Sequence, residues 1–152
     1  MNLDRLAELP GHRIIAASLG GTGLFAVTAV LVAAGVDAMK LPAAVVSLAL
    51  FVVSIPLSLV ALARAAVRTA RQEDRVTVGS LFFLQGSAPR AVRRLLLGSL
   101  LASLAVTAVT ASAEPFGVLQ PVFPLALCAW WGARYGTFPR IPDPDADPRP
   151  SG

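Results

Sequence analysis

Arginines at helical spacing are the side chains of this sequence that most clearly predict a chemistry, the binding of lipid phosphate groups. They form two groups, and within each group intervals of three and four residues place the guanidinium groups on one helical face. A guanidinium group offers paired N–H donors to phosphate oxygens, and anionic lipids are the nearest source of phosphate beside an apolar segment. The residues expected to contact lipid headgroups or a partner protein are these arginines and two phenylalanines between the groups: Arg64, Arg68, Arg71, Arg75, Phe82, Phe83, Arg90, Arg93 and Arg94.

Catalysis and metal binding have few candidate side chains. His12 and Cys128 are each the only residue of their type, so the chain can form neither an intramolecular disulfide nor a zinc site of several cysteines or histidines. An enzyme acting on lipids would need an acid, a base or a metal ligand at the bilayer edge, where Glu73, Asp74 and Glu114 are the acidic candidates. We therefore expect no enzymatic activity, no cofactor and no metal ion.

Four long apolar stretches without an ionisable side chain are the elements that must carry these residues. Each stretch is close to the roughly 20 residues that a helix needs to cross about 30 Å of hydrocarbon. A hydrophobic fraction of 55%, with 14% charged residues, excludes an ordinary soluble protein. The predicted spans are residues 14–36, 41–63, 95–113 and 116–133.

The fold predicted from these spans is all-α, an integral membrane four-helix bundle. It consists of two transmembrane hairpins joined by a basic cytoplasmic loop at residues 64–94. Because the other connections are short, we expect a single transmembrane domain over residues 1–142. Residues 143–152 alternate Asp with Pro and have nothing to bury, so we expect a disordered C-terminal tail.

The positive charges predict how the spans are oriented. Twelve arginines lie in the N-terminal segment, the middle loop and the C-terminal segment, whereas Lys40 is the only basic residue in the other two connections. Basic residues close to a span are retained in the cytoplasm. We therefore expect a multi-pass protein of the bacterial plasma membrane with its N- and C-termini cytoplasmic.

Small residues at four-residue spacing predict close contacts between helices. The pairs are Ala17 with Gly21 and Ala16 with Gly20 in the first span, and Gly98 with Ala102 and Ser99 with Ser103 in the third. Such pairs would let helix backbones approach each other in lipid. We expect the first and third spans to pack through these residues against each other or against a partner. The alternative is that an Ala-rich composition produces the spacing by chance.

Prolines interrupt two of the predicted spans. Pro56 lies in the second span. Pro121 and Pro124 lie beside Gln120 in the fourth. Because proline cannot donate a backbone hydrogen bond, we expect a kink at both places. One interpretation is that these broken helices line a solute path, as they do in transporters. The other is that proline is simply tolerated in membrane helices. The lack of ionisable residues within the predicted spans favours tolerance.

An apolar wedge, Leu81 to Leu84, stands in the middle of the basic loop. Four bulky apolar residues there need cover, which could come from the bilayer surface, from the inner mouth of the bundle or from another protein. With arginines on both sides, the wedge is suited to docking at the inner leaflet. The alternative is that the arginines only set the topology and that the wedge only packs beneath the bundle.

Two segments resemble a group of small actinobacterial integral membrane proteins that have no assigned activity. They are LFFLQGSAPRAVRRLLLGSL, at residues 81–100, and AWWGARYGTFPR, at residues 129–140. The resemblance covers the last three spans and the loop between them, and it implies the four-span plan and an actinobacterial source. It carries no catalytic or binding residue over to this sequence.

The leading functional hypothesis is a non-enzymatic accessory or assembly partner that docks through the cytoplasmic loop. The expected partners are a bilayer with anionic headgroups and a membrane protein or a second copy of the chain, and not nucleic acid. The alternative is a small oligomeric transporter or channel for an uncharged or weakly polar solute. Its path would follow the serines of the second span, Pro56, Gln120 and Pro121.

Overall fold

The structure, a computed structural model, describes residues 9–70 and 77–138, and all regular secondary structure in these two ranges is helical. Short 3-10 helices lie at Asp37–Met39 and Pro115–Leu119. The α-helices are α1 (His12–Ala33), α2 (Lys40–Ala70), α3 (Val78–Phe82), α4 (Arg90–Thr110) and α5 (Val122–Tyr135).

Four helical segments are long and apolar enough to cross a membrane. They are His12–Ala33, Asp37–Ala70, Arg90–Thr110 and Pro115–Tyr135, so the four predicted spans and the all-α fold are confirmed. The chain is thus a multi-pass membrane protein. Because each of these segments is apolar over most of its circumference, lipid can cover the helix surfaces that the bundle leaves exposed.

Helix α2 is longer than a bilayer requires. Its 31 residues rise about 47 Å, compared with about 30 Å of hydrocarbon. The helix continues beyond the predicted span, which ends at Ala63, and carries Arg64 and Arg68 on its last turns. The predictions for Arg71, Arg75, Glu73, Asp74 and the tail at 143–152 fall on positions outside the described residues.

Helix α5 lies at the centre of the bundle, in contact with α1, α2, α3 and α4, whereas α1 packs mainly on α4. Most of the side chains of α5 are buried and most of those of α2 are exposed. Two core clusters meet on α5. One contains Ile15, Leu84, Val92, Leu96, Cys128 and Trp131, and the other contains Ala61, Ala65, Leu81, Ala129 and Ala133.

One end of the bundle, which we call the basic end, gathers the start of α1, the end of α2, α3, the start of α4 and the end of α5. There Trp131 Nε1 donates a hydrogen bond to the carbonyl of Pro10 at 2.8 Å. Gly11 has a left-handed φ of 73° and packs so closely under the ring of Trp131 that a Cβ would lie 2.6 Å from Nε1. The opposite end, the turn end, holds the connections at 34–39 and 111–121.

The prolines have different structural consequences. Helix α2 runs through Pro56, and the hydroxyl of Ser54 donates to the carbonyl of Phe51 at 2.6 Å in the preceding turn. In the fourth span the helix is interrupted, because a 3-10 helix ends at Leu119 and α5 begins just after Pro121. Pro124 lies in the first turn of α5, where a backbone N–H needs no partner within the helix.

Candidate functional site

The arginines of α2 lie over aromatic rings from the C-terminal part of the described chain. The guanidinium carbon of Arg64 is 4.7 Å from the centroid of the Trp130 ring, and that of Arg68 is 5.7 Å from the Phe138 ring. Arg68 also donates to the carbonyl of Gly136 at 3.4 Å. Beside these arginines the exposed face of α2 forms an apolar groove of about 580 Å³ that ends at Ala133.

The arginines of α4 are arranged differently. The side chains of Arg90, Arg93 and Arg94 are exposed, and within residues 9–70 and 77–138 these side chains make no hydrogen bond, ion pair or ring contact. Together with Leu97, Gly98 and Leu101 they line an open groove of about 450 Å³ on the outer face of α4. The described arginines among the predicted contact residues therefore form two surfaces at the basic end, one on α2 and one on α4.

The apolar wedge is divided between the interior and the surface. Leu81 and Leu84 are buried, Phe82 is half-buried, and Phe83 is exposed over 44% of its surface. Leu81 lies against Gly132 of α5, where a Cβ would be 2.8 Å from the Leu81 carbonyl oxygen. The wedge thus packs beneath its own bundle, which was one of the alternatives, and Phe83 is the bulky residue left facing outwards.

Local hydrogen bonds hold the wedge in place. The Thr77 side chain accepts from the Ser80 N–H at 3.2 Å, and the Ser80 hydroxyl accepts from the Thr77 N–H at 2.9 Å, which together form a capping box for α3. Leu84 then adopts a left-handed φ of 54°, which reverses the chain and turns its side chain into the core. Such a φ is costly for a bulky residue, so the burial of Leu84 must compensate for it.

Most of the small residues predicted to join the first and third spans have a different role. The two spans do pack together, but Ala17, Gly98 and Ala102 are exposed, and Gly21 lies against the ring of Phe123 on α5. Of the small residues predicted on α4, Ser99 does face α1, where its hydroxyl oxygen is 2.5 Å from that of Ser18. The prediction that Ala17, Gly98 and Ala102 join these two spans within one chain is wrong, because each projects from the outer face. Their contact with a partner stays a prediction.

Gln120 and Glu114, named separately from the sequence, belong to one interior polar row that runs along α4 from the middle of the bundle to the turn end. Ser103 donates to Oε1 of Gln120, and Thr107 donates to the carbonyl of Gly117 at 3.1 Å. At the turn end Ser47 of α2 donates to Oε1 of Glu114 at 3.1 Å. One signal was present in the sequence, since the polar residues of α4 recur at intervals of four, four and three: Ser99, Ser103, Thr107 and Thr110.

Glu114 is the acidic residue of this row. It lies in the connection after α4, at the turn end, and only 3% of its surface is exposed. Gly117 makes room for it, because a Cβ there would lie 2.5 Å from Glu114 Oε2 and 3.2 Å from the Phe25 ring. Burial is the largest effect on the pKa of Glu114 and raises it, while hydrogen bonds from Ser47 and from the backbone of Gly117 act in the opposite direction.

Three buried polar atoms of the described residues have no hydrogen-bond partner: Thr22 Oγ1, Glu114 Oε2 and Gln120 Nε2. Glu114 and Gln120 thus give the row an unsatisfied acceptor and an unsatisfied donor, and Thr22 of α1 buries an unsatisfied hydroxyl. Buried polar groups of this kind are costly. Chemically the row could bind a proton or water. No three His, Cys, Asp or Glu side chains come together among residues 9–70 and 77–138 to hold a metal ion.

Comparisons with known proteins add no relative. No protein-family model, curated protein or solved structure matches this chain.

Proposed function

We propose that this chain is a non-enzymatic accessory or assembly partner in a bacterial plasma membrane, docking through its basic end. The observation that carries the proposal is the presence of two open grooves at that end, each with arginines beside an apolar helix surface. Exposed Phe83 stands at the same end. Charged and apolar groups side by side suit a partner that is itself partly embedded in the membrane.

The distribution of arginine supports a cytoplasmic location for the basic end. All twelve arginines lie before the first predicted span, between the second and third or after the fourth, and the turn end carries Lys40. Retention of basic residues in the cytoplasm would place both termini inside. The resemblance to small actinobacterial membrane proteins, together with the preference for arginine over lysine, supports the proposed source.

Reporter fusions test this orientation. Alkaline phosphatase is active only in the periplasm, so a fusion after Arg75 is expected to be inactive and a fusion after Val36 active. A cytoplasmic reporter at the same two positions should give the reverse pattern. Phosphatase activity from the Arg75 fusion would contradict the proposed orientation.

Site-specific crosslinking tests the docking proposal. A photoreactive amino acid at Phe83 is expected to give a discrete crosslinked protein in intact cells. The same amino acid at Phe116, which is 52% exposed at the turn end, serves as the control. If Phe83 gives only lipid adducts or crosslinks within the chain, the partner proposal is wrong.

The alternative, a small oligomeric transporter for an uncharged or weakly polar solute, is favoured by one observation. Thr22, Glu114 and Gln120 each bury a polar atom without a partner, as a path for a polar solute would require. However, Pro56 is exposed on the outer face of α2 and so does not lie on that path. Flux measurements in liposomes test the alternative, and a flux that is unchanged by Gln120→Leu would exclude the path past Gln120.

A further inference from the structure

One face of α4 carries two kinds of side chain in sequence. Arg90, Arg93 and Arg94 occupy its first turns, and Leu97, Gly98 and Leu101 continue the same face towards the middle of the bundle. The spacing of three, one, three, one and three residues keeps all six on a single stripe, which we call the α4 stripe. Over this interval the helix rises about 17 Å, close to half of the roughly 30 Å hydrocarbon thickness. The stripe thus matches one leaflet in length, with its arginines at the level of the headgroups and its apolar residues at the level of the acyl chains.

Within residues 9–70 and 77–138 no acidic side chain forms an ion pair with the cationic part of the α4 stripe. The first turn of α4 has no acidic residue, and its N-cap residue, Pro89, makes no side-chain hydrogen bond. The described ion pair of the protein, Lys40 with Asp37 at 2.7 Å, is at the turn end. Three guanidinium groups therefore stand together near the positive end of the helix dipole, where cations are disfavoured unless an anion is present.

The apolar part of the α4 stripe is a shallow trough. Gly98 is exposed, and a Cβ built on it would meet no atom within 4 Å. Leu101, one turn deeper, is exposed over 66% of its surface. A linear hydrocarbon chain can lie across Gly98 between Leu97 and Leu101, because the missing side chain leaves the helix backbone accessible.

We infer that the α4 stripe binds one anionic phospholipid. The arginines hold its phosphate group, and one of its acyl chains lies along Leu97, Gly98 and Leu101. Guanidinium groups suit this ligand because they offer paired donors to phosphate oxygens. The inference rests on the proposed membrane location of the chain but does not need a protein partner.

Two comparisons within the molecule favour a lipid at this position. A second copy packed symmetrically on the same face would bring the three arginines of each chain together, and like charges at close range oppose such an interface. On α2, by contrast, Arg64 and Arg68 already contact the Trp130 and Phe138 rings. Of the two arginine surfaces described at the basic end, the α4 stripe is thus the one whose guanidinium groups lie over no described aromatic ring and beside an open apolar trough.

Native mass spectrometry of the full-length protein, released from detergent with added phosphatidylglycerol or phosphatidylcholine, tests the inference. Phosphatidylglycerol is expected to stay bound to the intact chain at a higher occupancy than phosphatidylcholine. The double variant Arg93→Gln with Arg94→Gln should weaken the binding of phosphatidylglycerol by roughly tenfold or more. The control for loss of charge alone is Arg13→Gln, at an exposed residue of α1 at the same end of the bundle, and it should leave the binding of phosphatidylglycerol largely unchanged.

A second pair of variants tests the trough without changing the charge. Gly98→Leu fills the path of the acyl chain and should lower phosphatidylglycerol occupancy severalfold, whereas Gly20→Leu, at an equally open glycine of α1, should not. Equal binding of the two lipids, or full binding to the Gly98→Leu variant, would overturn the inference. So would competition by millimolar inorganic phosphate, which would assign the arginines to a free anion.

The failure of this inference and the failure of the proposed function can be told apart. A disulfide-linked dimer of the Gly98→Cys variant in membranes would show that a second copy covers the stripe, and it would exclude the lipid. A discrete protein crosslink from Phe83 would still support docking in that case. Conversely, selective lipid binding without a crosslink from Phe83 would support the α4 stripe and exclude the partner.

Discussion

Ser47 and Glu114 belong to different helical hairpins and are joined by a hydrogen bond at the turn end of the bundle. The hydroxyl of Ser47, on α2, donates to Oε1 of Glu114, in the connection after α4, at 3.1 Å. Both side chains are buried, so the bond crosses the interior rather than the surface. The bond therefore joins the α4–α5 hairpin to the α1–α2 hairpin at the turn end, whereas the chain segment that connects the two hairpins is at the basic end.

Glu114 is expected to make stability depend on pH. Its pKa is raised above the ordinary value of 4.5, chiefly by burial, so the folded state binds the proton more tightly than the unfolded state. The free energy of unfolding should therefore be highest at low pH and fall as the pH rises from about 4.5 through the raised pKa. Thermal unfolding in detergent over this pH range measures the effect.

The variant Glu114→Gln should remove this pH dependence, because its neutral amide keeps an acceptor for Ser47. It should be more stable than the parent chain at pH values above the raised pKa. Asp37→Asn, at an exposed acid of the turn end, is the control and should leave the pH profile of Glu114 in place. If the stability of the parent chain rose between pH 5 and 7, and the Glu114→Gln variant had the same pH profile, Glu114 would not be the group responsible.

The hydrogen bond between Ser18 and Ser99 is expected to contribute modestly to the packing of α1 on α4. Ser18→Ala and Ser99→Ala, with the double variant, form a cycle whose coupling energy should be about 0.6 kcal/mol and not above roughly 1.7 kcal/mol. Reversible unfolding in mixed micelles gives the three differences. Additive effects of the two substitutions would mean that the hydroxyl contact adds nothing to stability.

Two glycines of α1 should respond oppositely to the same substitution. A Cβ at Gly21 would collide with the ring of Phe123, whereas a Cβ at Gly23 would meet no atom within 4 Å. Gly21→Ala should therefore destabilise the bundle by about 1–3 kcal/mol through overpacking. Gly23→Ala should be neutral or stabilising, by up to about 1 kcal/mol. Equal stability of the two variants would show that α1 and α5 are not in close contact at Gly21.

The two adjacent tryptophans provide a matched pair at the basic end. Trp131 donates a hydrogen bond to the carbonyl of Pro10, and Trp130 faces Arg64 through its ring. Trp131→Phe should cost about 0.5–1.5 kcal/mol and speed proteolytic cleavage before α1, because the N–H donor is lost. Trp130→Phe keeps an aromatic ring under Arg64 and should leave the cleavage rate unchanged. A larger effect from Trp130→Phe would reverse this assignment.

The spans could be predicted from sequence because a helix surrounded by lipid hydrocarbon must consist mainly of apolar residues. Predicted span 14–36 corresponds to His12–Ala33, and 41–63 corresponds to the first part of α2. The length of α2 beyond Ala63 could also be expected, because the spacing of Arg64 and Arg68 already has a helical period. These features depend only on residue types that are close together in the chain, so a single sequence is enough to predict them.

The position of Glu114 could not be predicted in the same way. Its burial depends on the turn after α4, on the absence of a side chain at Gly117, and on Ser47 from a distant helix. The division of the wedge is a similar case, since the left-handed φ of Leu84 decides which of its residues face inwards. Both depend on tertiary packing, which overrides the local pattern.

The central position of α5 has a consequence for biosynthesis. This helix follows the other three spanning helices along the chain, yet its side chains fill the space among them. Until the ribosome delivers it, Ile15, Leu96 and Leu81 lack the surface on which they pack. We therefore expect the first three spanning helices to be incompletely packed in the bilayer, and accessible to quality-control proteases, until the fourth helix is inserted.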